Sequence, residues 1–575
     1  MSEVLAGAGV VAAAGFAAAA ILLPRGRARS AAMLAALVLF PLLIAGDQWH
    51  SPQFVDLRDE PLGFAALVAA ALAGATLLAA AFRRWPIALP LAIVFALPFR
   101  IPLEAGGDTA NLLVPLYLVI AGGVLAAALR DWRIAETAPP AVGVVGGTTP
   151  EDALATGRGG GSPAATGPAG PALWLPRVLA AVVLLYALQT LYSPDFSKSL
   201  QNVCFFFVPF SPVYALLRDV RWTQKLLGLV LAVVAAEAVA FVLVGSIEYL
   251  TRELFWNDQV IRSNEFHTYF RVNSIFWDPN IYGRYLALVA TIAMAVLLWV
   301  REKRTFAMLT ALIAVLWIGL VPTFSQSSFA ALLGGLAVLA AIRWSVKWTA
   351  VAVGAAAVLG IAVVVFAGGV SKLSPDRCNV DTGGRCSLIA GGAKMFGQRP
   401  LWGYGAGSFP RAYREHAATK KAPVSVSHTE PVTVAAEQGL LGLTAYFALL
   451  AAAVWTLAAN LGTSLSNSSA SRAGGTVGGT TPEDALATGG GGGSPAVTGP
   501  ARPAAGPALG PARPAAGPAL GPARPAILAA FVALLVHTMA YAGFFEDPIA
   551  WVLLAIGASL AAAPTGSASQ VRPSA

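Results

Sequence analysis

Charged side chains are scarce in this chain. Only 12% of its 575 residues are Asp, Glu, Lys or Arg, about half the roughly 25% of soluble globular chains. So little charge cannot cover a compact body of this length with a solvated surface. A soluble enzyme, a disordered protein and a nucleic-acid-binding module are thereby excluded. Histidine and cysteine are also rare, at five and three residues. Cys204 falls in an apolar run and reads as a small packing residue. Cys378 and Cys386 share one polar loop, where a disulfide is chemically allowed. No His or carboxylate cluster of ligand spacing accompanies that pair, so no metal site is expected.

What the chain has in abundance is apolar sequence: 57% hydrophobic residues and a mean hydropathy of +0.68. A helix needs roughly 20 mostly apolar residues to cross about 30 Å of hydrocarbon, where the backbone must satisfy its own hydrogen bonds. About fifteen runs qualify, from 4–23 to 549–563. The expected fold is all-α, a polytopic transmembrane helix bundle of about 12–15 spans. The net charge of +9 comes from short basic clusters between the runs: Arg25/Arg27/Arg29, Arg83/Arg84, Arg130/Arg133, Arg218/Arg221/Lys225, Arg301/Lys303/Arg304 and Arg343/Lys347. They occupy every second loop, which marks those loops as cytoplasmic. The intervening loops are mixed or acidic, with Asp47, Asp56, Asp59 and Glu60, then Glu104 and Asp108.

This phasing divides the chain into transmembrane helices at 1–129, a cytoplasmic linker at 130–173, a core at 174–459, a second linker at 460–526, a C-terminal hairpin at 527–563 and a tail at 564–575. The linkers are rich in Gly, Pro, Ala and Thr and lack a hydrophobic period, so disorder is expected. They share the stretch VGGTTPEDALATG at 145–157 and 477–489, and the second adds ARPAAGPALGP at 501–511 and again at 512–522. A low-complexity expansion without function is the favoured reading of the duplication.

Two outer loops are long, 248–279 and 370–430, and hold His267, His416 and His428. Ionisable residues at span ends on one face are functional candidates by default. The first loop ends in Arg271, Asp278-Pro279-Asn280 and Arg284. Asp-Pro-Asn is a helix start, and two arginines beside a helix N-terminus suit a pyrophosphate. The second loop carries Gly384-Arg385, then Pro400-Leu-Trp402-Gly403-Tyr-Gly405-Ala-Gly407-Ser-Phe409, His428 and Glu437-Gln-Gly439-Leu-Leu-Gly442. The glycines lack the strand–turn–helix context of a nucleotide loop. His428, where a span re-enters the membrane, is either a general base or a surface histidine at a helix start; spacing alone favours the latter.

In this order, with Phe324-Ser325-Gln326-Ser327 ahead of a span, the series resembles the O-antigen ligase/polymerase family of bacterial membrane glycosyltransferases. The resemblance covers about residues 265–460. It implies an enzyme without cofactor or metal that takes a glycan from a polyprenyl pyrophosphate at the outer face of the cytoplasmic membrane. The glycan passes to an acceptor hydroxyl on a glycan, lipid or protein, in cell-surface polysaccharide biosynthesis. By motif, Arg271 and Arg385 would bind the pyrophosphate and stabilise the leaving group, and His428 would deprotonate or orient the acceptor. A single displacement with inversion follows, since no protein nucleophile is implied. Arg284, Asn280, Ser325, Ser327 and Glu437 are the accompanying candidates for substrate binding. Two positions depart from the family pattern: Thr429 where Asn often follows the histidine, and Ser328 where arginine often follows Ser-x-Ser. Ligase and polymerase are not separated by these motifs. A lipid-linked-glycan flippase would hold its ionisable residues mid-span, whereas only Glu237 and His537 lie deep here. A mannosyltransferase-like enzyme remains open through Asp56, Asp59 and Glu60.

Overall fold

Hydrocarbon leaves an apolar run one economical structure, the helix, and the computed structural model of the protein is built almost wholly of helices. It describes residues 3–105, 108–137, 173–255, 257–266, 269–368, 384–416, 426–459, 461 and 521–562. The expected linkers therefore lie largely outside the described residues, as do His267 and Cys378. The helical body comprises residues 1–459 and 522–563.

The N-terminal part runs through α1 (Glu3–Leu22), α2 (Arg27–Asp47), α3 (Pro52–Asp59), α4 (Pro61–Arg84), α5 (Ala88–Ala96) and α6 (Val114–Thr137). Between α5 and α6 lies a two-stranded antiparallel hairpin, β1 (Ile101–Ala105) and β2 (Asp108–Leu112), in register Ile101↔Leu112. The hairpin is the one β element among the described residues and leaves the all-α class intact. Next come α7 (Trp174–Thr190), α8 (Phe196–Asn202), a π-helical turn over Val203–Phe207, α9 (Val208–Arg218), α10 (Gln224–Thr251) and α11 (Asp258–Phe266). The core continues with α12 (Pro279–Leu297), α13 (Lys303–Leu320), α14 (Gln326–Arg343) and α15 (Val346–Gly368). Two short helices, α16 (Arg385–Gln398) and α17 (Phe409–His416), sit in the large loop ahead of α18 (Glu430–Ala458). A final pair, α19 (Ala523–Thr538) and α20 (Pro548–Ala562), closes the bundle. Among the described residues ten helical segments are long and apolar enough to cross a membrane, with α8 to α9 counted as one, and four shorter apolar helices accompany them. The protein is a multi-pass membrane protein.

Cross-chain hydrogen bonds define the two ends of the bundle. At one end Arg29 pairs with Asp219, Ser30 donates to Asp131 at 2.8 Å and Arg218 donates to the Ile21 carbonyl at 2.7 Å. At the other end Ser197 donates to Asp47 at 2.7 Å, Tyr192 to the Trp402 carbonyl at 2.6 Å and Arg271 to the Thr323 carbonyl at 2.8 Å. The basic clusters of the sequence lie at the first end and the long loops at the second.

Helix α12 is the hub. It is buried along most of its length and packs on α13, α14 and α19, while α14 and α19 also pack on each other. Small residues permit the close approach: a Cβ on Gly335 of α14 would lie 2.7 Å from Thr291 Cγ2 of α12. Along its α10 side, α12 and the loop before it bury an aromatic group of Phe241, Phe276, Tyr282 and Tyr285.

Candidate active site

The site begins where the loop after α11 turns into α12. Asn264 of α11 fixes that loop by donating to the Arg271 carbonyl at 2.9 Å and accepting from its N–H at 3.0 Å. Glu248, at the last turn of α10, accepts from the N–H groups of Asn273 and Ser274 at 3.1 and 2.7 Å. Asp278 caps α12, accepting from Asn280 N–H at 2.6 Å. Thus pinned, Arg271 donates through Nε to the Thr323 carbonyl and through a terminal nitrogen to Asn280 Oδ1 at 3.2 Å. The guanidinium is half-buried. Burial lowers its pKa, Asp278 supports its charge and Arg385 opposes it.

Arg385 opens α16, behind Gly384 in the left-handed region at φ 86°. It donates weakly, at 3.4 Å, to the carbonyl of Ala540 in the loop between α19 and α20. His428 precedes α18 and itself has a left-handed backbone, φ 64°. A neighbour holds it there: Ser427 Oγ bonds the Thr429 carbonyl and Thr433 Oγ1, both at 2.7 Å, and accepts from Thr429 N–H at 3.2 Å. Burial, then the Arg385 guanidinium, keeps the imidazole below its ordinary pKa, while Asp278 pulls the other way. Arg271, Arg385, His428 and Asp278 therefore belong to one electrostatic cluster. Tyr541, between α19 and α20, adjoins it, its hydroxyl kept protonated by burial and by Asp278. Glu430 ties that loop to α18, accepting from Gly543 and Phe544 N–H at 2.7 and 3.2 Å.

The other sequence-predicted residues lie around this cluster. Asn280 joins it through Arg271, and its carbonyl faces His537 Nε2 at 3.2 Å. Ser325 caps α14 and meets Ser327 and Ser328 hydroxyl to hydroxyl at 3.1 and 2.7 Å, one turn below Thr323. Ser328 is fully buried against α12, where a Cβ on Gly283 would come within 2.7 Å of its Oγ. Thr429 makes no capping bond with its side chain. Arg284 is paired with Asp547 at 2.9 Å, both side chains no more than 5% exposed. Cys386 is disulfide-bonded; Cys378, its expected partner, lies outside the described residues.

Glu437 stands apart. Its two oxygens accept from Gly407 and Phe409 N–H, each at 2.9 Å. The glycine motif is an interlock with α18: Tyr404 and Gly405 donate to the carbonyls of Ala436 and Glu437, and Leu440 donates to that of Pro400. Gly403 (φ 67°) and Gly439 (φ 64°) face each other across it, and a Cβ on Gly403 would fall 2.3 Å from the Glu437 carbonyl oxygen. The glycine motif thus serves to join the loop before α17 to α18. A separate open groove is lined by Tyr192, Arg399, Pro400, Leu401, Trp402 and Gly403, and none of the sequence-predicted site residues lines it.

Asn264, Ser427, Glu430 and Tyr541 were not singled out from sequence. Ser427 and Glu430 lie within two residues of His428, and that proximity was the signal for them, whereas Asn264 and Tyr541 sit in stretches without a motif. Among the described residues no group of three or more His, Cys, Asp or Glu is placed to hold a metal ion.

A membrane-embedded helix bundle that gathers two arginines and an uncharged histidine at one end is suited to polyanionic substrates. The family model described as O-antigen ligase matches residues 311–447, from the middle of α13 into α18. Over that stretch the chain carries a domain of the O-antigen ligase/polymerase type of membrane enzyme, and the resemblance drawn from the motifs is borne out there. No curated protein matches the chain significantly.

Proposed function

We propose that the protein transfers a glycan from a polyprenyl pyrophosphate to an acceptor hydroxyl at the extracytoplasmic face of the bacterial cytoplasmic membrane. The observation that carries this reading is the cluster of Arg271, Arg385 and His428, drawn from the two long loops and lying opposite the basic end of the bundle. By the positive-inside rule the basic end is the cytoplasmic one.

The chemistry follows from the charges. As the glycosidic C–O bond to the donor phosphate breaks, negative charge grows on the pyrophosphate. Arg271, fixed by Thr323 and Asn280, and Arg385, held at the start of α16, stabilise that charge without moving. His428, uncharged at neutral pH, accepts the acceptor hydroxyl's proton as its oxygen bonds the anomeric carbon from the opposite side. The configuration inverts and polyprenyl pyrophosphate leaves. A finished glycan as donor makes this a ligase, and a growing chain as acceptor makes it a polymerase.

Release of polyprenyl pyrophosphate from a lipid-linked oligosaccharide, by purified protein in lipid with a mixed acceptor pool, tests the reading. Acceptor-dependent release is expected from the wild type and not from folded Arg385→Ala or His428→Ala protein. Release that ignores both substitutions, or is absent from the wild type across several donors, would overturn it and favour a transporter.

A further inference from the structure

Arg100 lies where the chain leaves α5 for β1, outside both the motif series and residues 311–447. It lines a narrow cleft with Phe276, Arg284, Tyr285 and Asp547. Within the cleft Arg284 forms an ion pair with Asp547 at 2.9 Å, and both Arg284 Nε and Asp547 Oδ2 are buried without a hydrogen-bond partner. Arg100 makes no ion pair or hydrogen bond among the described residues; the carboxylate acting on it is Asp547, already bound to Arg284. Two guanidiniums thus share one carboxylate. An arginine cannot relieve the excess by losing its proton, and a desolvated charge without a partner is costly. The cleft also adjoins the proposed active site: Tyr541 is influenced by Asp278 on one side and by Arg284 and Arg100 on the other, and His537 by both Arg284 and Arg385.

We propose that Arg100, with the free edge of Arg284, binds a phosphoryl group, so that the anion site extends beyond the family-matched segment onto α5 and the α19–α20 loop. The guanidinium fork suits the oxygens of a phosphate monoester or diester. The inference rests on the transferase reading when the phosphate is the donor's. A phospholipid headgroup offers the same chemistry.

The test is direct binding, independent of turnover. Full-length protein in phosphatidylcholine nanodiscs is titrated with polyprenyl pyrophosphate, and retention of phosphatidylglycerol is followed separately by native mass spectrometry. Arg100→Gln is expected to weaken one of the two by about tenfold, the value of one strong polar contact. Arg100→Lys, which keeps the charge but loses the fork, should weaken it less, and it serves alone if Arg100→Gln does not fold. Loss of polyprenyl pyrophosphate identifies the donor as the source, and loss of phosphatidylglycerol identifies the headgroup. If the Arg100 variants bind both as the wild type does while Arg271→Ala loses polyprenyl pyrophosphate, the inference is overturned and the transferase reading survives. If Arg271→Ala also binds unchanged, both are overturned.

Discussion

His428 has an uncommon backbone for a side chain with a Cβ, in the left-handed region at φ 64°. Such conformations persist where the surroundings over-determine them, and here Ser427 makes two hydrogen bonds with Thr429 and one with Thr433. Because burial and Arg385 depress its pKa, the imidazole is ready to accept a proton at neutral pH. The rate should fall only as pH drops through that depressed pKa. Arg385→Gln removes the opposing cation, so the imidazole should titrate at higher pH. Asp278→Asn preserves the helix cap but removes the supporting anion, so it should titrate at lower pH. NMR titration of labelled His428 in the two variants checks both directions, and shifts of the same sign would refute the assignment.

The motif elements teach a different lesson. Pro-x-x-Gly-x-Gly-x-Gly and Glu-x-Gly-Leu-Leu-Gly, far apart in sequence, are the two halves of one interlock between the loop before α17 and the break in α18. Glu437→Gln leaves one carbonyl oxygen for two N–H groups and turns its amide NH2, a donor, toward the other. It should cost about 2 kcal/mol of stability with little change in KM for donor, measured by thermal unfolding beside kinetics. Gly439→Ala meets both a left-handed φ and the Leu401 carbonyl 2.5 Å from the new Cβ. It should destabilise by about 3 kcal/mol, read as a lowered Tm. The sequence made the spans and the motif order legible because hydrocarbon permits so few structures. It did not reveal that Glu437 serves the backbone, since a carboxylate bound to two N–H groups reads the same as one facing a ligand. Nor did it distinguish Arg284 from Arg271: both flank the α12 start, and only the fold brings Asp547 to one of them.

For the whole molecule, the separation of the two ends is the testable property. Arg29, Asp131 and Arg218 gather at one, and Asp47, Trp402 and Arg271 at the other. Single cysteines placed at Ser345 and at Glu415, in a chain whose Cys204 is replaced by alanine, should label from opposite sides of intact cells. The membrane-impermeant reagent should reach position 415 and not position 345. Labelling of position 345 and not of position 415 would invert the topology and move the proposed site to the cytoplasm.

The α19–α20 hairpin lies some sixty residues beyond the end of α18 and is made after it. It carries Asp547 for Arg284, the Ala540 carbonyl for Arg385, His537 for Asn280 and the N–H groups that Glu430 binds. A nascent polypeptide already threaded through the bilayer up to α18 thus lacks every one of these contacts. Insertion of this hairpin during biosynthesis supplies them, so a chain terminated ahead of α19 would leave the ribosome with Arg284, Arg385, Asn280 and Glu430 all lacking these partners.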